Sequence, residues 1–340
     1  MVRSFVRDGA SVLFALLFMA VLAQCQSHKL WIAYEPANQS AQAKHIVLIS
    51  GDEEYRSEEG LPMLAQILST HHGFKTTVLF AIHPETGLID PNYQQNIPGL
   101  QSLETADLMI IATRFRGLPE DQMKYIDDFL KAGKPVIGLR TATHAFNFGD
   151  KNNAYARYSY NSSVPGWEGG FGKKILGETW INHHGIHGKE GTRGLIDAFA
   201  ERNNHPIIQG VKDIWGPTDV YGITRIPDGA EVLVWGASTA GMTDTAPINW
   251  QKSIVPVAWI KSYTYSPGSP EGRVFTTTMG AATDLLSPGL RRLIVNASYW
   301  AMGLEDHINP ESDVQPIKSY NPTPFGFDGY VQGKKPSDYE

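Results

Sequence analysis

The sequence predicts an α/β fold, a doubly wound and mostly parallel sheet with a loop-rich insertion over one edge. Two observations lead there. Short apolar runs that end in Gly or charged residues alternate with segments whose apolar residues recur at helical spacing. Several of the runs are continuous rather than alternating, as strands buried on both faces require.

The first run, Ile46 to Ile49 in "KHIVLISGD", ends in Gly51 and Asp52. A helix follows, with Ser57 at the cap, Glu58 and Glu59 in the first turn and a stripe of Leu61, Leu64, Ile67 and Leu68. Gly73 stops it, and "FKTTVLFAI" is the next strand. Leu108 to Ala112 is a strand, and "LPEDQMKYIDDFLKAG" a helix with Pro119 near its start and Gly133 past its end. "KPVIGLR" is the fourth strand. Residues 147–229, rich in Gly, Asn, His and aromatic residues, break the rhythm and are expected over the carboxyl edge of the sheet. "AEVLVWG", "VPVAWIKSY" and "GRVFTTTMG" restore it before a closing helix carrying Leu290, Leu293, Ile294, Ala297 and Ala301. The domain so defined spans residues 44–304. Residues 305–340 form a polar, Pro-containing tail expected to wrap the surface or to be disordered.

At the other end, residues 1–23 read as a signal peptide: Arg3 and Arg7, the apolar run Val12 to Leu22, and Val21-Leu22-Ala23 as a cleavage site. The run is too short for a spanning helix of roughly 20 residues, so a periplasmic or secreted protein with no transmembrane segment after signal removal is expected. Lipoprotein anchoring at Cys25 is the alternative, with Gln24 a poor residue before such a cysteine. Residues 24–43 form a leader that can add an edge strand through Leu30 to Tyr34. Cys25 is the only cysteine, which excludes an internal disulfide, a thiolate nucleophile in the domain and a cysteine metal site. With a net charge of -6 and no basic run of five or more, a nucleic-acid partner is not expected. The sequence does not set the oligomeric state.

In an open parallel sheet, ligands bind beyond the carboxyl ends of the strands, and three unusual clusters fall there. In "GDEEYRSEE", Asp52 and Glu53 are candidate proton-transfer groups and Arg56 a candidate substrate contact; the competing reading is a solvated acidic loop that caps a helix. In "GLRTATHAF", Arg140 offers a donor fork for a carboxylate or vicinal hydroxyls, with Thr141 beside it. His144 lies one helical turn on, as a proton-transfer group or a structural histidine. In "ETWINHHGIHGKEGTRG", His183, His184 and His187 follow Trp180 with H-H-x-x-H spacing. Three imidazoles within five residues suit a divalent metal such as zinc, iron or nickel, although no Glu follows the first His as a metalloprotease helix demands. An outside ligand, His144, Asp219 or another carboxylate, would then be needed; polar site walls and structural histidines are the other readings. A fourth signal is Asp219 and Tyr221 in "DIWGPTDVYGI", a pairing suited to a stacked, hydrogen-bonded sugar.

"HIVLISGDEEYRSEEGLPMLAQIL", "GKPVIGLRTATHAF", "DVYGI", "GRVFTTTMG" and "LIVNASYWAMGLE" together resemble the ThuA-like family, named for trehalose utilisation. The resemblance covers roughly residues 44 to 304 and is strongest to secreted members from bacteria of the planctomycete type. It implies the flavodoxin-like fold of the class I glutamine amidotransferase-like superfamily and a small carbohydrate ligand. In the amidotransferase relatives, the strand turn carries a catalytic cysteine after a Gly and an aliphatic residue. Here Gly138 and Leu139 are followed by Arg140, so amide hydrolysis through a thioester is excluded. Many ThuA-like proteins also end the late strand in Gly-His, whereas Gly280 is followed here by Ala281, with Thr283 and Asp284 the only polar residues nearby. Asp219 and Tyr221 match the family's acidic-x-Tyr element.

Two functions follow. One is an enzyme acting on a sugar, glycoside or keto-sugar derivative, a hydrolase or a lyase or isomerase, with Asp52, Glu53 and His144 moving protons and Arg56, Arg140, Thr141, Trp180, Asp219 and Tyr221 contacting substrate. The other is a non-catalytic carbohydrate-binding or scaffold protein. A Ser or Thr hydrolase is disfavoured, since no G-x-S-x-G elbow occurs.

Overall fold

The computed structural model describes residues 29–37, 43–196, 204–223 and 225–340. The expected leader, residues 1–23, and Cys25 lie outside the described residues. Ten strands form one sheet: β1 (Trp31–Tyr34), β2 (His45–Gly51), β3 (Lys75–Leu79), β4 (Leu108–Thr113), β5 (Val136–Leu139), β6 (Thr192–Leu195), β7 (Trp215–Gly216), β8 (Glu231–Ser238), β9 (Val255–Thr264) and β10 (Glu271–Thr277). Their order is β1-β3-β2-β4-β5-β10-β9-β8-β6-β7.

The sheet is mixed. β3, β2, β4, β5 and β10 are parallel neighbours, whereas β1 and the run β9-β8-β6-β7 are joined antiparallel. The expectation of a mostly parallel sheet therefore holds for the half that carries α-helical crossovers. β8 to β10 are joined by connections without helices, which permits antiparallel pairing. Residues 147–229 supply two strands to one end of the sheet, β6 and β7.

Helices α1 (Ser57–Thr70), α2 (Glu120–Lys131) and α3 (Pro288–Ala301) flank the sheet. Strand alternation divides the core. Ile46 and Leu48 face α1 and α3 through Leu61, Leu64, Leu290 and Ile294, whereas Val47 and Ile49 face α2 through Met123 and Ile126. Adjacent residues of one strand thus pack on opposite layers, as a doubly wound arrangement requires. Ser57 is not the cap of α1. Arg56 holds that position at φ 59°, and Ser57 Oγ instead meets Ser50 Oγ at 2.8 Å and accepts from Gly51 N. Among the described residues no helix is long and apolar enough to cross a membrane.

The tail is ordered along the domain. Tyr339 stacks on Phe80, Lys334 O accepts from Ile89 N, and Tyr34 OH donates to Tyr339 O at 2.5 Å. Beside it, in the first turn of α1, Glu58 is fully buried and neither carboxyl oxygen has a partner. Burial raises its pKa from 4.5 to about 8. Below pH 4.5 the folded and unfolded chains both carry this proton. Between 4.5 and about 8 only the folded chain keeps it, so its contribution to stability is lost as pH rises through that window. Glu58→Gln, which stays neutral, is expected to lose that slope. Denaturant midpoints measured from pH 5 to pH 9 check this, and parallel profiles for the two proteins would refute it.

Candidate active site

The site forms where β2, β5 and β10 end, and Arg140 is its centre. Arg140 follows β5 at φ 44°, a left-handed conformation that costs a non-glycine residue of order 1 kcal/mol or more. A 3-10 turn over Arg140–His144 follows, in place of the α-helix expected there. The guanidinium is buried between the rings of Tyr55 and Tyr221, 4.4 and 3.9 Å from their centroids. Nη1 donates to Asp219 O and Thr278 O at 2.7 and 2.8 Å; Nη2 donates to Tyr55 OH at 3.1 Å and Asp219 Oδ1 at 3.3 Å. Burial opposes its charge, but Tyr221, Tyr55 and Asp219 outweigh that and keep it ionised. With only Nε left unpaired and no exposed face, Arg140 organises the site rather than presenting a fork to a substrate.

The acidic loop divides by direction. Asp52 Oδ1 accepts from Glu54 N and Tyr55 N, and Oδ2 accepts from Thr141 Oγ1 at 2.7 Å. These bonds close the loop as an Asx turn and dock it on the β5 turn. Glu53 points to the opposite side of the loop and is bound by Arg114 Nη1 at 2.5 Å and Arg116 Nη2 at 2.6 Å. Arg56 is buried and donates only to the carbonyls of Glu53, Glu54 and Gly326. Asp52, Glu53, Arg56 and Thr141 are therefore engaged with the protein itself. The carboxylate that enters the cluster is Glu54, which the sequence reading placed in the loop without selecting it.

Glu54 Oε1 lies 3.2 Å from His187 Nε2; His187 Nδ1 lies 3.1 Å from Asp219 Oδ1; Asp219 Oδ2 lies 2.6 Å from His183 Nδ1. Acid and imidazole alternate along this row. Asp219 is buried, yet the His183 hydrogen bond and the Arg140 charge outweigh burial and hold its carboxyl below the ordinary value. Glu54 is shifted the other way, by burial and by Asp52, against the pull of Arg114 and His187. His183, His187 and Asp219 each offer a donor atom, and these atoms lie within 4.8 Å of one another, a group able to coordinate a metal ion. His184 is not part of it; its Nε2 meets Ser253 O at 2.8 Å on the outer side of the loop. Backbone bonds from His184 N and Gly185 N to Val220 O hold the histidine loop. A side chain at Gly185 would place a Cβ 2.8 Å from Asp219 Cβ, so only glycine lets the strands approach so closely.

His144 completes the site. It is buried among Phe115, Trp180 and Tyr221, with ring centroids 5.1, 5.3 and 6.0 Å away. Thr143 Oγ1 lies 3.2 Å from His144 Nδ1 and 3.5 Å from Arg140 O, and Nε2 has no protein partner; with the Thr143 hydroxyl turned to the carbonyl, Nδ1 carries the proton and Nε2 the lone pair. Burial, then Arg114 and Arg140, drive its pKa well below 6.5, so the ring is neutral. Trp180 Nε1 is buried without a partner, and its ring lies 5.3 Å from that of His144. Ala281 and Asp284 define the late strand end. Asp284 is fully buried and accepts from Thr218, Gly280 N and Ala281 N, so it serves the fold and does not substitute for a histidine at 281.

A family model described as trehalose utilisation, ThuA, matches residues 46–301. The chain belongs to the ThuA family. Two solved structures are similar to this ThuA member, both described as ThuA-like. One, from Parabacteroides merdae, is 13% identical, with 77% of this chain and 91% of that chain covered and a TM-score of 0.47. The other, from Bacteroides uniformis, is 14% identical, with 80% and 97% covered and a TM-score of 0.45. No match was found among curated proteins.

Two predictions follow from this geometry. Arg140→Met leaves the buried carbonyls of Asp219 and Thr278 without their donor and removes the Arg140 charge from beside the Asp219 carboxylate, and is expected to cost about 3–5 kcal/mol of stability in denaturant titrations; an unchanged midpoint would contradict the central role of Arg140. His183→Ala and Asp219→Asn should each abolish stoichiometric Zn²⁺ or Co²⁺ uptake measured by equilibrium dialysis and metal analysis, whereas His184→Ala should leave it unchanged.

Proposed function

We propose that this ThuA-family protein is an exported enzyme that acts on a sugar, glycoside or keto-sugar derivative, without amidotransferase activity. The observation that carries the reading is the unpaired Nε2 of a neutral His144 beside the row Glu54–His187–Asp219–His183, all at the carboxyl end of the sheet. The family's name supports the carbohydrate class, and the leader read at residues 1–23 supports export.

In this reading, His144 Nε2 accepts a proton from a substrate hydroxyl or activated C–H. Glu54, biased towards its protonated form, donates one to the departing or developing oxygen. Trp180 Nε1 and the Tyr221 wall orient the sugar. His183, His187 and Asp219 would hold a divalent cation, which supplies Lewis-acid polarisation of a carbonyl or hydroxyl oxygen when bound. Arg140 keeps Asp219 ionised and in place, so its contribution is positional. The arginine at the nucleophile position and Ala281 favour a second reading, a carbohydrate-binding protein with a retired site.

A turnover assay run beside a calorimetric titration separates the two. The enzyme reading expects His144→Ala to lower turnover of a glycoside or keto-glycoside by about 10²-fold or more with a smaller effect on affinity. It also expects the activity to persist as pH falls through 6.5, because the depressed pKa of His144 keeps its lone pair free until its own, lower value is passed. Saccharide affinity with no turnover, with or without added divalent metal, would establish the binding reading instead.

A further inference from the structure

The family match ends at residue 301, but the walls of the site do not. Residues 319–331 return across the carboxyl end of the sheet as a strap. Tyr320 OH donates to Ala282 O at 2.8 Å, Thr323 N and Oγ1 donate to Glu59 at 2.7 and 2.6 Å, and Gly326 N donates to Glu54 O at 2.8 Å. Arg56 Nη2 donates to Gly326 O at 2.5 Å. A buried arginine in a left-handed conformation is thus spent on joining the Glu54 loop to the strap. The contact is close: a Cβ at Gly329 would lie 2.3 Å from Arg56 Nη2.

Two phenylalanines of the strap pack around the site, Phe325 on its histidine row and Phe327 on Arg114. Phe325 stacks on Tyr55 at 5.6 Å and 29° and meets the His187 ring edge-on at 5.6 Å. Phe327 lies over the Arg114 guanidinium at 5.0 Å, on whose Cζ Phe115 also packs at 4.5 Å. Phe115 in turn meets His144 at 5.1 Å and Tyr160 at 4.9 Å. A continuous aromatic and guanidinium surface therefore runs from Phe327 to His144. The Phe327 end is 56% exposed and so open to a ligand.

We infer that the strap is a substrate-binding element of this chain: Phe325 walls the site behind His187, and Phe327 is a platform for the apolar face of a pyranose ring. The ligand class rests on the carbohydrate reading above; the placement of the strap does not. One face of a pyranose presents C–H groups, and an aromatic ring set among convergent polar groups is the surface that accepts it. The geometry makes Phe327 a binding residue, with no part in proton transfer, and makes Arg56 a positioning residue that acts through Glu54 and the strap.

The test uses the full chain and a panel of trehalose, methyl α- and β-glucosides and their 3-keto derivatives as calorimetric probes, with Phe327→Ala and Phe327→Trp as variants. Because Phe327 is more than half exposed, both variants are expected to keep the native thermal midpoint. For any probe that binds the native protein, Phe327→Ala should weaken binding by about tenfold, the scale of one aromatic contact, and Phe327→Trp should restore it. Where turnover is measurable, the loss should fall on KM with kcat nearly unchanged. Equal affinities of native protein and Phe327→Ala would overturn the strap proposal and leave the carbohydrate reading intact. No binding by any probe to the native protein would overturn the carbohydrate reading and, with it, the pyranose platform.

Discussion

The arrangement depends on one buried cation. Arg140 ties the end of β5 to Asp219, 79 residues away, and to Thr278, 138 residues away, and its flanks are filled by the rings of Tyr55 and Tyr221. A guanidinium moved into a protein interior loses its hydration, and only full hydrogen bonding and a counter-charge offset that cost. Here four hydrogen bonds from Nη1 and Nη2 and the Asp219 counter-charge offset it, so removing Asp219 would leave a buried cation uncompensated. The residue that follows β5 is a structural keystone.

That keystone sets the electrostatics around it. His187 lies between two carboxylates whose pKa values move in opposite directions, Asp219 downward and Glu54 upward. Two neighbouring carboxyl groups pushed apart in this way can take different proton states at one pH, which is the usual basis for dividing acid and base work. On the Asp219 side the His183 hydrogen bond and the directly contacting Arg140 pull the carboxyl down, whereas Arg140 influences Glu54 only weakly. Burial and the Asp52 charge push Glu54 up. The neutral His144 follows from its burial and the same field: a further cation at a buried position near Arg114 and Arg140 would be strongly disfavoured.

The tail illustrates how polar composition can mislead. It has few apolar residues, and those few are used individually: Phe325 on Tyr55, Phe327 on Arg114, Tyr339 on Phe80. None belongs to a periodic stripe, so nothing in the local pattern marks them. Their order comes from specific long-range bonds, such as Thr323 to Glu59 and Gly326 to Glu54.

What the sequence by itself determined is what depends on neighbours in the chain. The strand runs, the stripes of α1, α2 and α3 and the stops at Gly73 and Gly133 follow from spacing and backbone preference, and the single cysteine, Cys25, left residues 44–304 without a thiol nucleophile. The clusters in which the site would lie were legible for the same reason, since they follow strand ends. The tertiary structure alone decided which members of each cluster face inward. Asp52, Glu53 and Glu54 are chemically alike in sequence, and the turn that Asp52 Oδ1 closes over residues 53–55 sends them in three directions. His184 and His187 differ in role because the loop is pinned to Val220. Asp219 joins the histidines because Arg140 holds it there. The mixed half of the sheet was hidden likewise, since an apolar run specifies a buried strand but not the direction of the strand beside it.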